Sequence, residues 1–518
     1  MNGAQALITA LVDNGVRVCF ANPGTSEMHF VAALDSVPEM RAVLTLFEGV
    51  ATGAADGYAR ISGDPAGILL HLGPGLGNGL ANLHNARRAR VPMLNVVGDH
   101  ATYHKKYDAP LESDIDAVAG TVSGWVRRST SPAAVASDAA EAIGFARAQQ
   151  MISTLILPAD VSWSDGAEPA GSVAPVPVPA VADTEPVEEA LRDDEATVIM
   201  IGGDATRGRG LVAAARLAQA CGARLFCETF PTRLERGAGL PSVERLAYFG
   251  EGAAAQLAGT RRLILAGAAS PVTFFGYPGV PSDLVPQGCT VHTLAGPVGA
   301  AAALEDLADR LAPDTPVPAT LPSRPATPSG ALTVQTTAEA IGALLPERAI
   351  VVDESNTSGL LLPLATAGAP AHDWLTLTGG AIGYALPVAL GAAIAAPDRP
   401  VLCLESDGSA MYTISALWSH AREGLDITTV VYANHAYDIL RIELQRVGAQ
   451  SDNQRPGPKA ESLLDLTPPA LDFVKISEGM GVPARRVATA EELAEALQWA
   501  FAEPGPHLIE AVMPSIAG

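Results

Sequence analysis

The sequence predicts an α/β protein built from three doubly wound parallel sheets, and two observations lead to that prediction. Short β-branched runs alternate with alanine-rich helical stretches along the chain of 518 residues, as expected for parallel sheets covered by helices. Two proline-rich stretches, residues 166–190 and 312–331, interrupt the alternation. Because proline at this density favours extended spacers, we expect three domains at residues 1–165, 191–311 and 332–518.

The candidate strands are apolar runs of three to six residues that are bounded by turn-forming residues. Each domain carries at least three of them, separated by stretches long enough for a helix. In chain order they are residues 16–21, 68–72, 93–97, 154–157, 197–201, 224–227, 263–266, 350–352, 401–404, 428–432 and 507–512.

Composition excludes several classes of function. The chain has 33 basic and 56 acidic residues, a formal net charge of −23, which argues against nucleic acid or an anionic membrane as the main partner. No stretch approaches the roughly 20 apolar residues of a membrane span. The five cysteines show no paired spacing, and the first 20 residues do not read as a signal peptide. We therefore expect a cytoplasmic protein that does not bind nucleic acid or membranes.

One stretch, residues 401–441, predicts a cation site. A buried strand ends at Asp407 and Gly408, a helical pattern follows, and a second strand ends at Asn434. Parallel strands place their carboxyl ends at one edge of a sheet, where ligands bind. A carboxylate and an amide oxygen beside a phosphate are ligands that suit Mg²⁺. The alternative is an ordinary strand–turn–helix unit in which Asp407 only caps a helix.

Glu48 is the candidate catalytic carboxylate of the first domain. It ends the apolar run that starts at residue 44 and begins a helix of small residues up to Arg60. Small residues allow close packing, so this carboxylate is expected to lose its water, which would raise its pKa. The alternative is a glutamate that caps a helix and has no catalytic role.

Both stretches resemble enzymes that depend on thiamin diphosphate. Asp407-Gly408 is followed 27 residues later by Asn434, as in the family's metal motif, although Ser406 and Ala433 depart from it. The tail of the first helix, residues 55–60, reads Ala-Asp-Gly-Tyr-Ala-Arg, as in the family. The resemblance covers essentially the whole chain and implies pyrimidine-binding, central and diphosphate-binding domains.

The resemblance also implies a role for each site residue. Glu48 would hydrogen-bond the aminopyrimidine ring of the cofactor, which then removes the thiazolium proton. Residues of the third domain would hold the rest of the cofactor and its ion. They are Asp407, Asn434 and the Ala436 carbonyl for Mg²⁺, Asn356, Thr357, Gly408 and Ser409 for the diphosphate, the Gly380 carbonyl for the amino group, and Ile382 for the bent shape of the two rings.

Two kinds of reaction remain open. Residues 22–27 and 70–78 are similar to benzoylformate decarboxylase, whose active-site serine and histidine fall at Thr25 and His71. That enzyme's second histidine has no counterpart in residues 271–277, so the proton relay is incomplete. Residues 73–75, 98–100 and 107–114 are instead similar to acetolactate synthase large subunits. The flavin segment of those subunits has no match at residues 266–271, so FAD is doubtful.

The resemblance also implies two residues of the substrate pocket. Leu440 and Glu443 stand where the family lines its acyl pocket. Glu443 would repel a carboxylate substrate unless it is protonated or paired with Arg441 or Lys105. Residues 447–468, rich in proline, glycine and polar side chains, would form either a cover over the site or a solvated insertion.

We therefore predict an acetolactate synthase-like enzyme that cleaves a small 2-oxo acid and transfers the acyl carbanion to a carbonyl acceptor. The first alternative is non-oxidative decarboxylation of the benzoylformate decarboxylase kind. The second is a homologue that binds the cofactor without turnover. The resemblance implies a homodimer or homotetramer, because the carboxylate and the metal site of one active centre come from different subunits in this family.

Overall fold

Three sheets of six, five and seven strands form the framework of the computed structural model, which describes residues 1–171, 184–193, 195–447 and 457–517. Among these residues every pair of neighbouring strands is parallel except one pair at the edge of the third sheet. The predicted α/β class with three parallel-dominated sheets is confirmed. No helix in the described ranges is long and apolar enough to cross a membrane.

The first sheet has the strand order β2-β1-β3-β4-β6-β5, with helices on both faces. Its strands are β1 (Val18–Ala21), β2 (Arg41–Leu44), β3 (Ala66–Leu70), β4 (Met93–Asp99), β5 (Trp125–Arg128) and β6 (Ile152–Pro158). Its helices are α1 (Gly3–Asp13), α2 (Met28–Ala33), α3 (Glu48–Ser62), α4 (Leu72–Ala89), α5 (Ile115–Gly120), α6 (Pro132–Gln149) and α7 (Ala159–Trp163).

The second sheet has the order β10-β8-β7-β11-β12, and one strand of this part of the chain, β9, pairs elsewhere. The strands are β7 (Thr197–Ile201), β8 (Arg224–Cys227), β9 (Leu234–Arg236), β10 (Glu244–Arg245), β11 (Arg262–Ala266) and β12 (Thr290–Ala295). The helices are α8 (Glu185–Arg192), α9 (Gly208–Cys221), α10 (Gly250–Leu257) and α11 (Ala300–Leu311).

The third sheet has the order β17-β18-β16-β15-β13-β14-β9, with β9 antiparallel to β14. Its own strands are β13 (Ile350–Glu354), β14 (His372–Thr376), β15 (Val401–Ser406), β16 (Ile427–Ala433), β17 (Ala484–Val487) and β18 (His507–Val512). Its helices are α12 (Val334–Leu344), α13 (Leu362–Ala365), α14 (Ala385–Ala395), α15 (Asp407–Thr413), α16 (Ala416–Glu423), α17 (Asp438–Arg446), α18 (Pro458–Ser462), α19 (Phe473–Gly479) and α20 (Ala490–Ala502).

All eleven predicted strands exist, with shifted ends in several cases. The strand predicted at 68–72 is Ala66–Leu70, because Leu72 already begins α4. The single helix expected after Asp407 is two helices, α15 and α16. Seven strands were missed, and they are short, polar or at sheet edges: β2, β5, β9, β10, β12, β14 and β17.

The first and third sheets are joined by close packing of α3 on α14. A Cβ on Gly57 would lie 2.0 Å from the Val388 carbonyl oxygen, and one on Gly391 would lie 1.7 Å from the Ala54 carbonyl oxygen. Only glycine permits this approach, so the small residues that follow Glu48 serve helix packing. One continuous apolar core then runs from the first sheet to the third.

Candidate active site

Glu48 lies where the site was predicted, just after the carboxyl end of β2 and at the first position of α3. It is only 6% exposed, in agreement with the expected loss of water. Asn78 donates a hydrogen bond from Nδ2 to Oε2 of Glu48 at 3.0 Å. A Cβ on Gly75 would lie 3.2 Å from Oε1 of Glu48, so α4 closes over the carboxylate.

Helix α4 also connects Glu48 to the third domain through a row of asparagines. Asn82 Nδ2 donates to the Gly49 carbonyl at 2.9 Å and to the Gly383 carbonyl at 3.2 Å. Asn85 Nδ2 donates to the Ala381 carbonyl at 2.8 Å. The start of α3 and the glycine-rich turn at residues 379–383 therefore share hydrogen-bond partners within one chain.

These asparagines were not predicted, although the sequence carries a signal for them. Asn78, Asn82 and Asn85 recur at intervals of four and three residues, which places them on one face of a helix. A polar row on an otherwise small and apolar helix indicates a buried hydrogen-bonding surface, because buried amides require partners.

His71 caps α4 at the end of β3 and contacts a carboxylate and a hydroxyl from the end of β1. Its Nδ1 lies 2.8 Å from Glu27 Oε2 and 3.2 Å from Ser26 Oγ. Ser26 Oγ donates to Glu27 Oε1 at 2.6 Å. Glu27 is buried, and a Cβ on Gly98 would lie 1.8 Å from its Oε1. A histidine oriented by a buried carboxylate is suited to proton transfer.

The resemblance implies an active-site hydroxyl at Thr25, but Thr25 does not take part in this cluster. It is exposed at the start of a short 3₁₀ helix, Thr25–Glu27, while the next two residues of that helix contact His71. The missed partners were therefore Ser26 and Glu27. Glu27 stands in the motif that already drew attention to Thr25, and it is the titratable group there.

The three predicted metal ligands meet at the carboxyl ends of β15 and β16. Asp407 is buried, and its two carboxylate oxygens accept the N–H groups of Gly408 at 2.8 Å and His435 at 2.7 Å. Burial raises the pKa of Asp407, and these two donors oppose the rise. Asn434 Oδ1 accepts the N–H of Ala436 at 3.1 Å, which shapes the loop into a tight turn.

The predicted diphosphate residues form a hydroxyl and amide cluster next to Asp407. Asn356, with a φ of +48°, donates from Nδ2 to Ser406 Oγ at 3.0 Å and to Ser409 Oγ at 3.3 Å. Thr357 is buried beside it. At Gly408 a Cβ would lie 2.3 Å from the Tyr437 ring, so the backbone there is closely packed.

Glu354 sets the position of the glycine-rich turn and was not predicted as a site residue. Its carboxylate accepts the N–H groups of Gly383, Tyr384 and Ala385 at 2.7–2.8 Å, where α14 begins. Burial raises the pKa of Glu354 to about 7, and these three donors oppose the rise.

Gly380 and Ile382 lie in this turn. Gly380 has a φ of +76°, a conformation that favours glycine, and a Cβ there would lie 2.5 Å from Phe274 of the second domain. Phe274 belongs to an aromatic cluster next to the turn, and the cluster consists of Phe230, Tyr248, Phe249, Phe274, Phe275 and Tyr277. Ile382 is partly buried against the core shared by the first and third domains.

Glu443 is paired, but not with either residue suggested from the sequence. Its Oε1 accepts from Arg446 at 2.9 Å, one helical turn away on α17. Arg441 instead binds Glu461, and Lys105 binds Asp99 and Glu112. Arg446 also stacks on Phe249 and Tyr277, with its guanidinium carbon 4.1 Å and 4.9 Å from the ring centroids. Leu440, on the same helix, is 47% exposed.

The residues present fit thiamin diphosphate and Mg²⁺. One carboxylate, one amide oxygen and one backbone carbonyl are hard oxygen ligands, and Mg²⁺ completes its shell with water and phosphate. Within the described ranges no group of three His, Cys, Asp or Glu side chains could hold a metal, in keeping with a set that has a single carboxylate. The neutral hydroxyl and amide groups of Asn356, Thr357 and Ser409 suit phosphate oxygens. Residues 448–456, in the predicted cover, lie outside the described residues.

Comparison with known proteins shows the family of the chain. The thiamine pyrophosphate enzyme N-terminal TPP binding domain matches residues 1–119, and the C-terminal TPP binding domain matches residues 364–511. Over all 518 residues, and the full length of both chains, the sequence is 73% identical to a Mycobacterium tuberculosis protein with the name "Putative acetolactate synthase large subunit IlvX". Benzoylformate decarboxylase of Pseudomonas aeruginosa is 29% identical, with 97% of each chain covered.

Two solved structures share the whole architecture. A thiamine diphosphate-dependent 4-hydroxybenzoylformate decarboxylase from Rhodococcus jostii RHA1 covers 100% of both chains with a TM-score of 0.86 and 25% identity. The benzoylformate decarboxylase of Polynucleobacter necessarius covers 99% of both chains with a TM-score of 0.85 and 22% identity, a likeness of fold. The chain belongs to the thiamine pyrophosphate-dependent enzymes. Within them it is of the acetolactate synthase and benzoylformate decarboxylase kind.

Proposed function

We propose that this enzyme is an acetolactate synthase-like carboligase, which cleaves a small 2-oxo acid and transfers the acyl carbanion to a carbonyl acceptor. Thiamin diphosphate, when bound, supplies the nucleophilic carbon and the electron sink for loss of CO₂. The full-length relative at 73% identity, named for acetolactate synthase, supports this choice of reaction.

The observation that most supports the proposal is the aromatic cluster beside Gly380, which contains Phe274. The segment at 271–277, where a benzoylformate decarboxylase-like relay would have a second histidine, instead places Phe274 on the turn. Residues 271–277 contain no histidine, so this side of the site lacks the imidazole donor that a benzoylformate decarboxylase-like relay would use. Slower protonation on this side would favour transfer of the acyl group to a second carbonyl.

Glu48 has the central catalytic role in this proposal. Its buried carboxylate would hydrogen-bond the aminopyrimidine ring, and Asn78 holds the orientation of that carboxylate. Exclusion of water strengthens such a hydrogen bond. Gly380 would offer its carbonyl oxygen to the amino group of the same ring, and Ile382 would support the two rings from the side of the protein core.

The third domain anchors the charged end of the cofactor. Asp407, Asn434 and the Ala436 carbonyl would hold Mg²⁺ beside the diphosphate. Neighbouring backbone and hydroxyl groups of Asn356, Thr357, Gly408 and Ser409 would bind the phosphate oxygens. Leu440 and Glu443 line the acyl pocket, and the pairing of Glu443 with Arg446 reduces its repulsion of a carboxylate substrate.

Simple decarboxylation is the second candidate function, and the His71 cluster favours it. His71, held by Glu27, could protonate the carbanion and release an aldehyde. The Ser26 hydroxyl, which lies 3.2 Å from His71 Nδ1, would position the substrate carboxylate. The two candidates therefore differ in whether His71 delivers its proton before an acceptor arrives.

Product analysis separates the two candidates. The holoenzyme is supplied with pyruvate or another 2-oxo acid, alone and with an acceptor aldehyde. Carboligation gives acetolactate or a hydroxy ketone, whereas decarboxylation gives free aldehyde in both mixtures. Circular dichroism for the bound iminopyrimidine, followed by a panel of 2-oxo acids, tests the third possibility, a homologue that binds the cofactor without turnover. Free aldehyde as the main product with an acceptor present would contradict the carboligase proposal.

The active unit is proposed to be a homodimer or a homotetramer. The carboxylate and the metal site belong to different domains, and in this family they come from different subunits at each centre. Cytoplasmic location and the small-molecule partners, a 2-oxo acid and a carbonyl acceptor, belong to the same proposal. An active preparation that is strictly monomeric by light scattering would contradict it.

A further inference from the structure

A cavity of about 200 Å³ lies between the first and second domains, away from Glu48. It is bordered by the carboxyl-terminal ends of α3 and α4, whereas Glu48 stands at the opposite, amino-terminal end of α3. On the side of the second domain it meets the loop after β7 and the loop after β12. The polar residues that line it are Arg60, Arg90, Gln150, Asp204, Arg207 and Thr232.

Among the residues that line the cavity, three are arginines and one is an aspartate. Arg60 is neutralised by a buried ion pair with Asp56 at 2.7 Å. The Asp204 carboxylate faces the start of α11 and accepts the N–H groups of Gly299 and Ala301 at 3.0 Å and 2.9 Å. Because these N–H groups already stabilise its charge, Asp204 needs no arginine as partner.

Arg207 and Arg90 remain available for a ligand. In the part of the chain that the structure describes, neither guanidinium has an ion pair or a hydrogen bond to protein. Arg207 is partly buried at the start of α9. Burial and the neighbouring Arg233 lower the pKa of Arg207, and the carboxylates of Asp204, Glu235 and Asp373 oppose the fall without forming an ion pair with it. Partial burial without a partner is unfavourable for a guanidinium, and a bound oxyanion would reverse that effect through paired hydrogen bonds.

We propose that this cavity binds a small phosphate-bearing anion, held by Arg207 with help from Arg90, at a site separate from the catalytic centre. A volume of about 200 Å³ is below the roughly 300–1,000 Å³ of sites for drug-sized ligands, so the occupant is small. Free phosphate and the phosphate group of a short sugar phosphate share this chemistry. The planar fork of arginine suits either of them.

Calorimetric titration of the holoenzyme, saturated with thiamin diphosphate and Mg²⁺, tests the site. The probes are inorganic phosphate and ribose 5-phosphate, each at ionic strength balanced with chloride. Saturation with cofactor keeps the probes out of the diphosphate site. We expect binding of at least one probe to the wild type and a loss of at least tenfold in affinity in Arg207→Gln. The probe that binds with higher affinity shows whether the site prefers free phosphate or a sugar phosphate.

Arg209→Gln is the matched control. Arg209 lies two residues further on, is 89% exposed in its side chain, and pairs only with Glu305 at 3.2 Å. Its affinity for the probes should equal that of the wild type. If Arg207→Gln does not fold, Arg207→Lys serves instead. Lysine keeps the positive charge but lacks the planar pair of N–H donors, so the affinity for the probes should still fall. Equal affinity in the Arg207 variants and the wild type, or heats identical to chloride for both probes, would overturn the proposal.

Discussion

Glu48 shows how one residue depends on its neighbours for its chemistry. It follows an edge strand, begins α3, and is enclosed by glycines and asparagines of α4. The carboxylate is therefore shielded from water and fixed in orientation, the two properties that the proposed hydrogen bond to the cofactor ring would require.

Glu48→Gln should keep the fold and lose most of the activity. Glutamine preserves the size of the side chain and its contact with Asn78, but it cannot stabilise positive charge on the ring. We expect turnover to fall by about 10²-fold or more, with an unchanged melting temperature. Steady-state kinetics and thermal unfolding measure both effects. Glu39→Gln, at an exposed position, should behave as wild type; near-normal turnover in Glu48→Gln would remove Glu48 from the mechanism.

His420 predicts a pH dependence of stability. It is fully buried on α16, its Nε2 lies 2.9 Å from the Leu386 carbonyl, and burial lowers its pKa from 6.5 to about 4. The unfolded chain takes up a proton below about pH 6.5, while the folded chain resists protonation until about pH 4. The stability that His420 contributes is therefore complete above pH 6.5 and is lost as the pH falls toward 4.

His420→Gln should flatten that dependence. Glutamine keeps a donor for Leu386 but does not titrate. The free energy of unfolding of the wild type, relative to the variant, should fall by roughly 3 kcal/mol between pH 6.5 and pH 4. Denaturant titrations at several pH values measure it. His29→Gln, at an exposed site, should leave the slope unchanged. Parallel curves for wild type and His420→Gln would contradict the assignment.

At the scale of elements, the contact of α3 with α14 depends on glycine at fixed positions. A helical glycine normally costs about 1 kcal/mol relative to alanine. At Gly391 the order is reversed, because a Cβ would lie 1.7 Å from the Ala54 carbonyl oxygen and the two helices would have to separate.

Gly391→Ala should therefore destabilise the protein by about 1–3 kcal/mol or more. Gly77→Ala on α4 is the matched control, because a Cβ there meets nothing within 4 Å and the change should be neutral or slightly stabilising. Denaturant unfolding measures both variants. A gain in stability for Gly391→Ala would show that the helices are less closely packed than described.

The elements that position the site were largely predictable from the sequence, and the reason is their pattern. Strands such as β15 and β16 are buried on both faces, so their residues form continuous apolar runs that stand out from their surroundings. The strand β17, Ala-Arg-Arg-Val, was missed because an edge strand exposes polar residues. The ends of buried strands, where Asp407 and Asn434 stand, were located by the same signal.

Side-chain partners were less predictable, because they depend on contacts distant in the sequence. The pairing of Glu443 with Arg446 follows from helical spacing, but the aromatic rings that flank Arg446 come from the second domain. Likewise Ser26, rather than Thr25, reaches His71 because of the turn geometry after β1. Such choices are decided by the three-dimensional packing.

At the scale of the whole molecule, the cofactor should stabilise the fold, since its proposed ligands come from segments of the chain far apart in sequence. Removal of metal and cofactor with EDTA should lower the melting temperature, and only thiamin diphosphate together with Mg²⁺ should restore it. A ligand at 100 times its Kd stabilises by about 2.7 kcal/mol. Differential scanning calorimetry measures the shift.

Two variants sharpen this experiment. Asp407→Asn removes the single carboxylate of the metal set and should abolish the shift. Asp398→Asn changes a carboxylate that is 66% exposed and should preserve it. Equal recovery without Mg²⁺ would contradict the proposed metal site.

The strand β9 has a consequence for how the chain can be divided. Leu234–Arg236 completes the third sheet by pairing with His372–Trp374, and Arg236 packs on Trp374 with its guanidinium carbon 5.1 Å from the ring centroid. A chain cut in the proline-rich segment at 312–331 would leave the carboxyl-terminal fragment without β9. Strand β14 would then be an unpaired edge strand that is prone to aggregation. In a chimera of two related enzymes, Leu234–Arg236 and the third sheet should therefore come from the same protein.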